Sequence, residues 1–176
     1  MRAAAGPRAR YYCLEYNPIF AAVIMALTDL AGLADVVKVV IGPSTESIAR
    51  LAPALQAAGG LDFVFLDHLK PLYTPDLKLC ESLGLVRAGT VLAADNMVKP
   101  GNPPYHKYVN MTPQEKLADA AGKKGAERGE PGLIYESEWI ESWEPQAVPV
   151  SRIDARPAAP TNPYARTQSR FRPARG

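Results

Sequence analysis

The order of apolar and polar positions divides the first hundred residues into alternating short and long units. Residues 11–15 form a short apolar run with strand character. Asn17-Pro18 follows as a helix start, an N-cap side chain with proline at the first helical position, and the helical spacing continues to about Gly32. The β-branched run 36–41 predicts a second strand. Ile48, Leu51 and Leu55 at helical spacing predict a helix over 44–58, closed by Gly59-Gly60. A third strand is expected over 61–66, a helix over 75–83 stopped by Gly84, and a fourth strand over 90–94. Strand and helix in strict alternation predict a doubly wound α/β sheet.

After the fourth strand the regularity ends. Residues 99–105 hold three prolines and a glycine, and residues 110–132 are rich in Lys, Glu, Ala and Gly without apolar periodicity. That segment is expected to be an exposed, mobile insertion. Residues 133–143 and 148–153 then predict a closing antiparallel pair. The domain is therefore placed at 11–153, after a leading stretch 1–10 read as the end of a helix or as disorder. The Arg/Pro-rich stretch 154–176 is expected to be a disordered tail.

Composition sharpens this picture in two places. The chain has 176 residues, 47% of them hydrophobic, enough for one domain with a real core. The net charge of +2 hides an acidic interior: residues 11–150 carry 11 basic against 17 acidic groups, a net of −6. Basic character lies at the ends, with three Arg in residues 1–10 and six in 151–176. An acidic body without basic-aromatic interleaving argues against a nucleic-acid partner. Cys13 and Cys80 show no metal-binding spacing and read as buried thiols of a reducing, cytoplasmic compartment. The apolar stretch 18–27 is too short to span a bilayer and lacks a small-residue cleavage site, so no membrane partner is expected.

Two of the apolar runs close on acids: Phe63-Val64-Phe65-Leu66-Asp67-His68 and Val91-Leu92-Ala93-Ala94-Asp95-Asn96. Buried parallel strands that end this way meet a ligand crevice at their carboxyl ends. Asp67, Asp95 and Asn96 would gather oxygen donors on one rim, a set suited to a hard cation such as Mg²⁺. Taken singly, each residue has a plainer reading. A strand-end Asp or Glu15 is often a surface carboxylate, His68 a packed histidine, Lys70 a solvated loop lysine, and Ser44 a helix cap.

The segments Cys13-Leu14-Glu15-Tyr16-Asn17-Pro18, Val40-Ile41-Gly42-Pro43-Ser44, Phe65-Leu66-Asp67-His68-Leu69-Lys70 and Leu92-Ala93-Ala94-Asp95-Asn96, with Pro100-Gly101 after them, resemble the catechol O-methyltransferase family in its fungal branch. The resemblance implies transfer of a methyl group from S-adenosylmethionine to a catechol hydroxyl with Mg²⁺, in catecholamine-type metabolism. It implies that Glu15 holds the cofactor ribose and that Tyr16, Ser44 and His68 line the adenine. It also implies that Asp67, Asp95 and Asn96 hold Mg²⁺ and that Asp67 touches the cofactor site as well. Lys70 would be the general base. Asn96, Pro100 and Glu141 would, with Lys70, contact the catechol. Leu69 departs from an aromatic found in some relatives.

The resemblance also implies what this chain lacks. Family members carry leading helices, a first strand with a Gly-rich turn and a further helix before the position of Tyr11. The expected architecture is thus a partial Rossmann-like methyltransferase sheet lacking its first, central strand. Two strand edges would be left without partners, which allows self-association. Two readings follow: an active catechol O-methyltransferase, or a catalytically impaired relative that acts at most as a binding or interaction protein.

Overall fold

A computed structural model describes residues 9–142 and 148–157. Seven elements, four strands and three helices, build out the expected alternation. They are β1 (Tyr11–Glu15), α1 (Pro18–Leu30), β2 (Val37–Ile41), α2 (Ser44–Ala57), β3 (Phe63–Leu66), α3 (Tyr73–Ser82) and β4 (Val91–Ala94). The reading of the Asn17-Pro18 start holds in detail, since Asn17 Oδ1 accepts the Ile19 N–H at 2.9 Å. Helix α3 begins two residues earlier than expected, directly after a 3₁₀ turn over Lys70–Leu72. Pro75 sits in its first turn, where a helix has no intrahelical use for the N–H that proline lacks.

The strands fall into two sheets. β1 and β2 pair in parallel, Tyr11 opposite Val37 through Glu15 opposite Ile41. β3 pairs in parallel with β4, which pairs antiparallel with β6 (Val148–Pro157), and β6 with β5 (Leu133–Ser142). Among the described residues β1 and β3 have no partner on their facing edges. This agrees with the expectation of an empty position between them. The main core lies where α2 and α3 pack on one face of the strands, around Ile48, Leu55, Leu66, Tyr73, Leu77 and Leu92. Cys80 belongs to it, and burial together with the Asp76 and Glu81 charges pushes its thiol up to about 12. Such a thiol is inert.

Two expectations are corrected. The first concerns residues 99–132. Asn102 caps α4 (Pro103–Val109), whose Tyr105, Tyr108 and Val109 are buried. Thr112 and Glu115 form a reciprocal capping box for α5 (Pro113–Ala120). The segment 110–132 is therefore ordered at α5 and tied to the core through a few buried residues, while much of its surface stays exposed. Lys116 on α5 is 2% exposed and pairs with buried Glu81 of α3 at 3.2 Å. Glu81 also accepts hydrogen bonds from the Tyr108 hydroxyl at 2.5 Å, the Glu130 N–H at 2.9 Å and the Tyr135 hydroxyl. Burial lowers the pKa of the Lys116 ammonium despite the opposing pull of Glu81, and the ammonium lies over the rings of Tyr108 and Tyr135. The second correction is that β6 runs to Pro157, so 154–157 are strand, paired with 133–136 of β5. The stretches 1–8 and 158–176 lie outside the described residues.

Candidate active site

The carboxyl ends of β1 to β4 share one rim, because the residues that follow β2 and β3 meet there. Ser44 and Thr45 open α2 just after β2, and both hydroxyls donate to Asp76 of α3, at 2.5 and 2.7 Å. His68, just after β3, places Nε2 at 2.9 Å from the same carboxylate. Asp76 is only 2% exposed. Burial alone would raise its pKa, but the hydrogen bonds from His68, Ser44 and Thr45 outweigh that and hold the carboxyl below its ordinary range. The His68 ring is further fixed by stacking on Tyr73, with centroids 4.9 Å apart.

Glu15, Tyr16, Ser44, Asp67 and His68 all line one cavity of about 840 Å³. Each of these sequence-based candidates thus borders the same space. Glu15 is half-buried at the end of β1, and its Oε1 accepts the Asn17 N–H at 2.7 Å. Tyr16 is largely exposed.

Beside this cavity stands Lys70. Its ammonium donates to Asn96 Oδ1 at 2.8 Å, to Asp67 Oδ1 at 3.3 Å and to the Tyr73 hydroxyl at 2.6 Å. The strand ends of β3 and β4 therefore aim two oxygen donors at one point. Asn96 reaches it from a left-handed backbone conformation, φ 58°, the one non-glycine residue with positive φ among the described residues. Asn is among the few side chains that tolerate this region, which often marks functional sites. Asp95 contributes differently: its Oδ1 is turned to the Asn96 N–H at 2.6 Å, and its carbonyl accepts from the Tyr73 hydroxyl at 3.4 Å. Burial, then the charges of Asp67 and Asp95, raise the Tyr73 hydroxyl far above the usual phenol, so it is a donor and not an acid here.

Of the three oxygen-bearing side chains expected to converge, Asp67 and Asn96 meet at the Lys70 ammonium, and both present the oxygen type a hard divalent ion takes, whereas the Asp95 oxygen is engaged with the Asn96 N–H instead. Among the described residues no group of three or more His, Cys, Asp or Glu side chains converges, so the amide oxygen of Asn96 is essential to that fit. Pro100 lies exposed in the irregular turn over Met97–Gly101 that follows Asn96. Glu141 is in β5, with its side chain outside the described residues. Two residues that matter here were missed from sequence. Asp76 carries no local signal beyond its place in the first turn of a helix. Asn102, buried, donates from Nδ2 to the Lys70 carbonyl at 2.7 Å and pins the loop that carries the lysine.

No family model matches the chain. Against curated proteins it is 46% identical over 103 residues to the catechol O-methyltransferase of Bos taurus, covering 58% of this chain and 38% of that one. It is 40% identical over 127 residues to catechol O-methyltransferase B of Danio rerio, covering 72% of this chain and 48% of that one. Over these stretches the chain is similar in sequence to the catechol O-methyltransferases. It spans less than half the length of these two relatives. Among solved structures, the O-methyltransferase TomG from Streptomyces achromogenes, in complex with SAM, superposes with a TM-score of 0.57 at 20% identity. That match covers 88% of this chain and 65% of TomG. It establishes the Rossmann-like α/β fold and no more.

Proposed function

We propose that this chain carries the cofactor-binding and metal-binding half of a catechol-type O-methyltransferase and that the reaction is methyl transfer from S-adenosylmethionine to a catechol hydroxyl. The observation that carries this reading is the Lys70 ammonium gathered between Asp67 Oδ1 and Asn96 Oδ1, beside a cavity bordered by Glu15, Ser44 and His68. Glu15 would accept hydrogen bonds from the ribose hydroxyls, as an acid at a strand end does in related folds. His68 and Ser44, both fixed by Asp76, would form one side of the adenine pocket. Asp67, Asp95 and Asn96 would hold Mg²⁺, which would lower the pKa of a catechol hydroxyl bound to it.

Lys70 then has a role that fits its position. In its neutral amine form, after giving up one proton to solvent, Lys70 would be the base that takes the proton of a catechol hydroxyl bound next to Asp67 and Asn96. No protein nucleophile is needed, because attack on a sulfonium methyl is direct and depends on positioning. Pro100 and Glu141 would complete the catechol contacts. A second reading, binding with little turnover, is favoured by the gap between β1 and β3, which leaves the cavity open beside Leu14 and Phe65.

Incubation with radiolabelled S-adenosylmethionine, Mg²⁺ and a catechol separates the two. Labelled product that disappears in Lys70→Ala supports the transferase. Cofactor binding by calorimetry without product supports the binding protein.

A further inference from the structure

Lys70 and Tyr73 are set against each other by the local fold of the chain. Lys70–Leu72 is a 3₁₀ turn, in which side chains three apart eclipse, and Tyr73 opens α3 directly after it. The Tyr73 N–H closes the turn on the Lys70 carbonyl. The same carbonyl accepts from Asn102 Nδ2 at 2.7 Å, so the backbone under the lysine is held from two sides. Tyr73 is fully buried. Its ring stacks on His68 with centroids 4.9 Å apart and lies perpendicular to Tyr105 with centroids 5.6 Å apart. A ring packed on two sides presents its hydroxyl at a fixed point.

An ammonium has three N–H donors, and each finds an acceptor here: Asp67 Oδ1 at 3.3 Å, Asn96 Oδ1 at 2.8 Å and the Tyr73 hydroxyl at 2.6 Å. The three are not equal. Tyr73 makes the shortest contact and is the only buried residue among them. Asp67 and Asn96 are also the groups proposed above to hold a metal ion, and Tyr73 is not. Toward Lys70 the hydroxyl is an acceptor, because its own proton is directed at the Asp95 carbonyl, 3.4 Å away. Asp95 follows β4, so the hydroxyl ties the amine to the sheet as well as to the loop that bears it.

We infer that Tyr73 is the positioning residue for Lys70: its hydroxyl, braced on the Asp95 carbonyl, fixes the amine where Asp67 and Asn96 meet. What the amine does there rests on the function proposed above, whereas its placement does not. The ring serves His68 as well, so one side chain sets both the proposed base and one wall of the proposed adenine pocket.

Tyr73→Phe isolates the hydroxyl. It keeps the ring, and with it the His68 stack and the attraction of the ammonium to the ring face, whose centre lies 4.7 Å from Nζ. Tyr105→Phe is the control, since it removes a neighbouring buried hydroxyl that has no hydrogen-bond partner among the described residues.

The first test is NMR of the lysine ammonium groups in the full chain, metal-free and in the cold, with isotope-labelled lysine. Lys70, assigned by the loss of its signal in Lys70→Arg, should show an ammonium slowed in exchange with solvent. Exchange should be about tenfold faster in Tyr73→Phe, the factor carried by one charge-assisted hydrogen bond, and unchanged in Tyr105→Phe. No slowed Lys70 signal in the parent, equal exchange in Tyr73→Phe, or the same acceleration in Tyr105→Phe overturns the inference. A nuclear Overhauser contact between the Lys70 ammonium and the Tyr73 ring is expected in the parent. Its absence overturns the inference even where Tyr73→Phe does not fold.

The second test is methyl transfer from labelled cofactor to a catechol. Tyr73→Phe should lower kcat about tenfold or more and leave KM for S-adenosylmethionine within about twofold, since misplacing a reacting group by about 1 Å costs on the order of a hundredfold. Unchanged kcat overturns the inference and leaves the transferase reading standing. A parent that makes no product, with the Lys70 ammonium slowed as expected, overturns the transferase reading and leaves the placement of Lys70 by Tyr73 standing.

Discussion

His68 Nε2 lies 2.9 Å from Asp76 Oδ2, and that one contact joins the loop after β3 to the helix that packs beneath it. Asp76 also holds both hydroxyls at the start of α2, so a single buried carboxylate fixes two sides of the proposed adenine pocket. Asp76→Ala should weaken binding of S-adenosylhomocysteine about tenfold, the size of one lost charge-assisted contact of 1–3 kcal/mol. Isothermal calorimetry checks this. Unchanged affinity in a folded variant would mean that Asp76 serves only packing.

The same carboxylate predicts an acid dependence. Its pKa is held below the unfolded value of about 3.9, so it contributes stability at all higher pH and loses it as pH falls through the folded value. Urea midpoints measured from pH 7 to pH 3 should fall below about pH 4. Asp76→Asn, which keeps the shape but not the charge, should be less stable at pH 7 and should show a shallower decline.

At Asn96 backbone and side chain make separable demands. Asn96→Gly keeps the left-handed backbone without strain and removes the oxygen aimed at Lys70. Asn96→Ala removes the same oxygen and adds a backbone cost of about 1–2 kcal/mol. Both variants should lose Mg²⁺ binding in calorimetry, while only the alanine variant should lose several degrees of thermal midpoint. Retained Mg²⁺ affinity in the glycine variant would remove Asn96 from the metal site.

Much of this was legible in the sequence, and the parts that were not share a cause. Strands β1 to β4 and helices α1 and α2 were found because apolar periodicity and caps agreed. The acids at the ends of β3 and β4 announced the rim by themselves. Helices α4 and α5 were passed over for want of periodicity, yet Asn102-Pro103 and Thr112-Pro113 repeat the Asn17-Pro18 start signal. Pro103 and Pro113 stand at first helical positions, where proline starts a helix and does not break it. Asp76 was missed for a different reason: its three partners come from residues 8 to 32 positions away, which no local pattern reports.

The buried pair Glu81–Lys116 decides whether α5 is part of the core. The two side chains are 0% and 1% exposed, and Glu81 accepts from two tyrosine hydroxyls and a backbone N–H besides. Removing one partner of such a pair leaves an uncompensated charge in an apolar setting, which typically costs 3–5 kcal/mol. Lys116→Met should therefore destabilise the fold by roughly that amount, although methionine matches the lysine stem in shape. The double change Lys116→Met with Glu81→Gln should recover part of the loss, since the remaining amide can still accept from Tyr108 or Tyr135. Urea unfolding of the two variants and the parent gives the comparison. A single variant within 1 kcal/mol of the parent would show that α5 is held by its apolar contacts alone, and the pair would then carry no more weight than a surface ion pair.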